Sequence, residues 1–316
     1  MSSLQSDSLK GADAGERTVG TCYGFAIRSS LDFLFLRAED GEAETLRVTA
    51  PSTPPDGDAG ELIQQWRPAP DLPFEGSLYR DGTRFQFQTA QSRWFFIDVD
   101  GPSVTLPEDP NTVRREERLW GIPAILCFLA RGDLQLHAAA LEIEGEAIVI
   151  GAPRTHGKTT LAATFHNAGF RLLNEDVTCI CDLSAPHIVP GPAVLRLRRD
   201  TAERLEIRNV TEVGQRDDRV HFAIDPALRG DCRPLPLKAL LLLRESAEGY
   251  RLDRAAPADA VRDLWPLSFN LPDPRDRARC FAALTDLTRT TPVWNLYRPF
   301  RLEDLPGAVN FVVEHV

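Results

Sequence analysis

Lysine is nearly missing from this chain. Its 316 residues include 36 Lys and Arg together, yet only Lys10, Lys158 and Lys238 are lysine. In so arginine-biased a sequence, a lysine marks a place that needs a compact ammonium rather than a planar guanidinium. Positive charge is short as a whole. The formal net charge is −10, and without a basic face nucleic acid is excluded as a partner. Long apolar runs are missing too, so no membrane-spanning segment is expected. The polar N-terminus, MSSLQSDSLKGADAGERT, has no apolar core of a secretory signal. No pair among Cys22, Cys127, Cys179, Cys181, Cys232 and Cys280 has zinc spacing. Cys179 and Cys181 form C-x-C in an expected strand, where both face one side and belong to the core. Scattered cysteines fit a reduced, cytoplasmic setting. There is no internal repeat. A hydrophobic content of 43% supports a real core, in one large domain or two.

What is present is concentrated in Glu146–Thr160, EAIVIGAPRTHGKTT. Ala147–Ile150 reads as a buried strand, the loop ends in Gly157-Lys158-Thr159, and Leu161–Phe165 has helical character. This is the strand, loop and helix order of a phosphate-binding P-loop. Loop amides and the helix N-terminus make a concave anion site. In such a loop the lysine, here Lys158, reaches the β/γ-phosphates and the hydroxyl, here Thr159, ligates Mg²⁺. The candidate phosphate-binding set is Ala152, Pro153, Arg154, Thr155, His156, Gly157, Lys158, Thr159 and Thr160. The pattern asks for glycine where Ala152 stands, and the loop interior has no further glycine. The plainer alternative is a strand-to-helix turn that happens to contain GKT.

Residues 1–18 read as a disordered tail, 19–132 as a β-rich module ending in a linker helix, and 133–316 as the P-loop domain. Hairpins are expected around Asp81-Gly82 and Asp100-Gly101. Asn111 is an N-cap candidate for one helix running to about Arg131, kinked at Pro123. Strands are expected at Leu134–Ile143, Phe170–Leu173, Val177–Cys181, Ala193–Leu197 and Ala239–Leu243. Helices are expected at Pro257–Leu264, Pro274–Leu287 and from Pro306. Arg196 and Arg198 share a strand face, so one of them is a candidate phosphate or acidic-peptide contact. Arg216, Asp217, Asp218 and Arg219 read as a solvated loop.

Three elements lie within forty residues of one another: His137 on a strand, the loop 152–159, and Glu175-Asp176 at a strand end. Phosphoryl transfer needs these residue types, namely an anion cradle, a carboxylate for Mg²⁺ and a base near the acceptor hydroxyl. Each has a plainer alternative: a core histidine for His137, an exposed turn for Glu175-Asp176, a solvent-facing side chain for His156.

Leu136-His137-Ala-Ala-Ala, the Glu144-Gly145 turn, the P-loop and Leu172-Leu-Asn-Glu-Asp-Val177 together resemble the HPr kinase/phosphorylase-like family. They are similar above all to its members encoded in lasso peptide gene clusters, which phosphorylate precursor peptides on serine. Gly191-Pro-Ala-Val-Leu-Arg196-Leu and Val293-Trp-Asn-Leu-Tyr-Arg-Pro, followed by Asp304-Leu-Pro306, also resemble that group. The specific part of the resemblance covers roughly residues 134–200. It implies an α/β fold with an HPr kinase/PEP carboxykinase-like P-loop core, with ATP and Mg²⁺ as cofactors. It implies transfer of the γ-phosphoryl to a serine-type hydroxyl of a peptide or small protein, and makes a homo-oligomer credible. His137 matches the family's active-site histidine, Glu175 the presumed general base and Asp176 the second carboxylate. Thr159 and Asp176 are the metal candidates, and Arg196 joins the nucleotide-binding set. Two departures stand out: Glu175 replaces an Asp, and Ala152 replaces the first loop glycine. The long Glu-containing signature of true HPr kinase/phosphorylases has no counterpart, which argues against HPr itself as acceptor. A nucleotide-binding regulator without transfer activity and a small-molecule kinase are the alternatives.

Overall fold

The computed structural model describes residues 15–38, 43–51, 60–67, 76–89, 94–153 and 156–316. It is a mixed α/β structure, as expected. The first of its sheets has eight strands. Their spatial order is Arg17–Cys22, Phe25–Ser29, Glu44–Thr49, Ser103–Thr105, Phe95–Asp98, Arg84–Thr89, Gly76–Asp81 and Glu61–Trp66. Its inner face alternates apolar residues along each strand, as in the buried Phe85 and Phe87. These pack with Phe25, Leu46 and Phe95 against Leu119, Ala124 and Phe128 of the following helices.

Three details differ from the sequence reading. The strand Arg17–Cys22 begins inside the segment read as a tail, and Glu16 already pairs with Arg47 at 2.8 Å; residues 1–14 lie outside the described residues. The first hairpin closes Asp81 on Arg84 around Gly82-Thr83, one residue later than expected, with Gly82 at φ +59° taking the left-handed position. The single linker helix is two helices, Thr112–Leu119 and Ile122–Arg131. The break falls at Gly121 rather than as a kink at Pro123, because proline fits the first turn of a new helix, where its missing N–H costs nothing. Asn111 does cap the first helix, its side chain accepting from the Arg114 amide at 2.9 Å.

The second sheet holds Glu146–Gly151, Leu134–Ile143, Val177–Cys181, His187–Val189, Leu235–Glu245, Val293–Arg298 and Arg251–Arg254, with Arg171–Asn174 alongside Leu134–Ile143. Glu146–Gly151 pairs in parallel with Leu235–Glu245, and that strand pairs in parallel with Val293–Arg298. The carboxyl ends of all three therefore point the same way, where open α/β sheets place their ligands. One face carries the helix Lys158–Asn167 and the C-terminal helix Leu305–His315, with Ala162, Phe165, Val309 and Val312 in a shared core. The other face carries Pro257–Leu264 and Pro274–Thr290, packed on Leu134, Ala138 and Leu240. A three-stranded sheet of Val194–Arg198, Arg219–Ile224 and Val210–Arg216 flanks them. Among the described residues no helix is long and apolar enough to cross a membrane. All six cysteines are unpaired. Cys179 is fully buried but Cys181 is half-buried, so the C-x-C pair belongs to the core only in part.

Candidate active site

The strand Glu146–Gly151 delivers the chain to the loop, and Gly157, at φ +76°, turns it into the helix that starts at Lys158. A side chain at 157 would be strained by that conformation and would also meet the Arg298 guanidinium at 2.7 Å. Ala152, the departure from the expected glycine, is buried, and its methyl joins Ile150 and Leu161 in the core. The substitution therefore fills packing space. Arg154 and Thr155 lie outside the described residues. His156 sets its ring edge-on to Phe300 with centroids 6.2 Å apart.

Glu175 and Asp176 sit in a bend that interrupts an otherwise continuous strand. Asn174 pairs with Ala140 and Val177 with His137, so the two carboxylates are displayed opposite the middle of Leu134–Ile143. Asp176 consequently reaches His137, its Oδ1 lying 3.1 Å from Nδ1. The same oxygen accepts from the Lys158 ammonium at 3.3 Å. Lys158 Nζ is also 3.4 Å from His137 Nε2. His137 thus stands between the two charged groups, Nδ1 toward the carboxylate and Nε2 toward the ammonium.

Glu175 faces the other way. Its Oε1 accepts from the Thr159 hydroxyl at 2.8 Å, and its Oε2 accepts from Arg196 Nε at 2.7 Å. Arg196 Nη2 also meets Asp176 Oδ2 at 3.0 Å, so one guanidinium spans both carboxylates. Glu175 is 4% exposed, whereas a third of the Asp176 side chain is open.

Around this core lies a ring that the sequence reading missed. Arg196 pairs across the sheet with His221, and its Nη1 is 3.8 Å from Glu117, which also binds Arg216. Arg216 is thus part of the site periphery and not of a solvated loop. Burial was the missing signal: Glu117 and Arg216 look like ordinary surface charges until the helix and sheet are brought together. Arg198, the other candidate on that strand face, pairs with Asp218 on the surface instead.

The electrostatics follow from this geometry. Burial alone would push the Asp176 carboxyl up, but Arg196, Lys158 and His137 together hold it well below the usual carboxylate range. Burial lowers the Lys158 ammonium, and Asp176 and Glu175 offset this in part. Burial lowers Arg196 too, yet Glu175, Asp176 and Glu117 outweigh it and raise the guanidinium. No group of three or more described His, Cys, Asp or Glu residues could hold a metal unaided. Mg²⁺ does not require one, since it binds one or two carboxylates plus substrate phosphates and water. The Thr159–Glu175 pair has the donor chemistry for that arrangement. A groove of about 550 Å³ opens beside His137, lined by Ala152, Pro153, Arg244, Asp263 and Leu267.

No family model matches the chain, and no curated protein matches it significantly. Among solved structures, that of the Hpr(Ser) kinase/phosphatase from Coxiella burnetii is similar over 57% of this chain and 95% of its own, at 10% identity and a TM-score of 0.31. A likeness at that level carries no argument, and the functional reading rests on the side chains.

Proposed function

We propose that the protein is an ATP-dependent phosphotransferase that delivers the γ-phosphoryl of ATP to a serine hydroxyl of a peptide or small protein. The observation that carries this reading is the division of labour between two adjacent carboxylates. Glu175 is bound to the P-loop hydroxyl of Thr159, and Asp176 is bound to Lys158 and His137. The loop amides and the start of the helix cradle the phosphates, and Lys158 supplies a point charge to the β- and γ-oxygens. Thr159 and Glu175 would hold Mg²⁺, which when bound neutralises charge on the phosphates. Asp176 orients the acceptor hydroxyl and takes its proton late in the transfer, with His137 beside it, and the groove next to His137 admits the acceptor. This assignment reverses the one implied by the resemblance, in which Glu175 is the base and Asp176 the metal ligand. It follows from exposure: both carboxylates are engaged, but Glu175 is buried while a third of the Asp176 side chain is open.

A strongly depressed Asp176 is a weak base as it stands. Lys158 moves its charge toward bound phosphate, which relieves Asp176 of one cation and raises its affinity for a proton when the acceptor arrives. The acceptor class is supported by the sequence resemblance over residues 134–200, which favours a serine of a lasso-type precursor peptide. The test is transfer of label from γ-labelled ATP to a panel of serine-containing precursor peptides. Lys158→Ala should abolish transfer, at least a 1,000-fold loss on the scale of lost transition-state charge stabilisation, with the circular dichroism spectrum unchanged. Undiminished transfer by that variant removes the reading. The closed Lys158–Asp176 pair and the longer Glu175 favour a second reading, a nucleotide-binding regulator. ATP binding by calorimetry with no labelled product from any acceptor selects it.

A further inference from the structure

The strand Val293–Arg298 ends on the same edge as the P-loop strand, two strands away. Its last residue, Arg298, is 3% exposed. Nη2 donates to the His156 carbonyl at 3.1 Å and Nη1 to the Pro299 carbonyl at 3.0 Å. Nε is buried with no hydrogen-bond partner. Burial lowers the guanidinium, and Tyr250 and Glu245 offset this in part. Two residues on, Phe300 is 46% exposed. The Arg298 guanidinium lies over its ring at 5.3 Å from the centroid, and the His156 ring stands at 70° to it with centroids 6.2 Å apart. The ring lies 3.7 Å from where a side chain at Gly157 would begin, so it borders the turn into the P-loop helix.

An aromatic ring half exposed beside a phosphate cradle offers a flat surface on which a base can stack. We propose that the exposed ring of Phe300 is the stacking platform for the purine base of the bound nucleotide. In this arrangement Arg298 locks the platform to the loop, so that base and phosphate subsites move as one piece. The occupant is chosen by position: a base whose phosphates rest on the amides of Gly157–Thr160 has a flat ring within reach at the carboxyl edge of the parallel strands. This rests on the cradle binding a nucleotide, but not on transfer.

The experiment is calorimetry on the full chain with Mg²⁺, titrating ATP and, separately, inorganic tripolyphosphate. Phe300→Ala should weaken ATP about tenfold, the scale of one base stacked on one ring, and leave tripolyphosphate unchanged. Phe300→Trp should restore ATP binding. Equal weakening of both ligands would show that Phe300 only shapes the loop, and undiminished ATP binding by Phe300→Ala would place the base elsewhere; either overturns the proposal. A wild-type protein that binds neither ligand removes the nucleotide reading as well.

Discussion

Two arginines, Arg37 and Arg196, are drawn into the interior in opposite ways. Arg37 is 2% exposed and donates only to neutral carbonyls: Gly191 at 2.7 Å, Leu172 and Leu173 each at 2.9 Å, and Arg229. Arg196 meets carboxylates instead, at Glu175, Asp176 and Glu117. Burial, reinforced by nearby Arg171, lowers Arg37 to about 10. Burial acts on Arg196 as well, but its three carboxylates carry it above its ordinary value. The difference separates a fastener from a component of a site. Arg37 ties the N-terminal segment to backbone far along the chain and depends on no other charge. Arg196 balances negative charge that would otherwise repel phosphate, and removing it changes how Asp176 titrates.

Breaking the fastener should have the largest effect. Arg37→Ala strands several buried carbonyls at once, and a loss of about 3–5 kcal/mol is expected in urea unfolding, the scale of losing a few buried hydrogen bonds to a charged donor. Arg37→Lys keeps the charge and three donors and should recover part of it. A loss below about 1 kcal/mol, the scale of an exposed pair, would dissolve the distinction drawn between the two arginines. Next comes Arg196→Gln, with an expected fall of about 100-fold in transfer, typical of losing one electrostatic stabiliser. Its sharper signature is in pH. Arg196 is the largest of the cations that lower Asp176. Without it the carboxyl titrates at higher pH, so the acid limb of kcat/KM should move upward. An unmoved limb would mean that Asp176 is not the group being read.

Much of this contrast was legible in the sequence on one side only. The P-loop, His137, Glu175-Asp176 and Arg196 could be found because their chemistry is written in local order: a strand, a loop, a helix start, adjacent acids at a strand end. The structure brings Lys158, Thr159, His137, both acids and Arg196 into one cluster. Arg37, Glu117, Arg216 and His221 could not be found, because each acquires its partner across a long sequence separation and none has a local pattern to betray it; Arg298 stands in one of the runs that carry the resemblance, but its contact with the His156 carbonyl is visible only in the fold. Helix and strand periods place most elements correctly. The helix Arg199–Leu205 and the strands Val210–Arg216 and Arg219–Ile224 were missed outright, and smaller errors fell where a single residue decides, as at Gly121, where a break replaced a kink, and at Gly82, where φ +59° shifted the turn. Gly191 stands in a matched motif, yet its reason is spatial: a Cβ there would lie 2.3 Å from Asn174 Oδ1 and 2.4 Å from the Tyr23 ring.

The smallest effect sharpens the comparison most finely, because it contrasts neighbours on one helix. Glu117 points to Arg196 and Arg216, while Glu116 points inward, fully buried, and accepts from the Leu34 and Phe35 amides and the Trp120 indole. Burial pushes Glu116 up to about 7 from its ordinary 4.5, against the pull of those hydrogen bonds. Its folded value lies above its unfolded one, so the folded protein holds a proton that the unfolded chain releases between these values. Its contribution is complete below the unfolded value and is lost as pH rises through about 7. Between pH 5 and 7 this amounts to about 2 kcal/mol, from the free energy of one shifted proton. Glu116→Gln, which cannot titrate, should therefore flatten the fall in Tm over that window and leave the acid limb of kcat/KM where it was. A Glu116→Gln protein that moves the limb would couple the two faces of the helix, and Glu116 would then have to be counted with Arg196 instead of with Arg37.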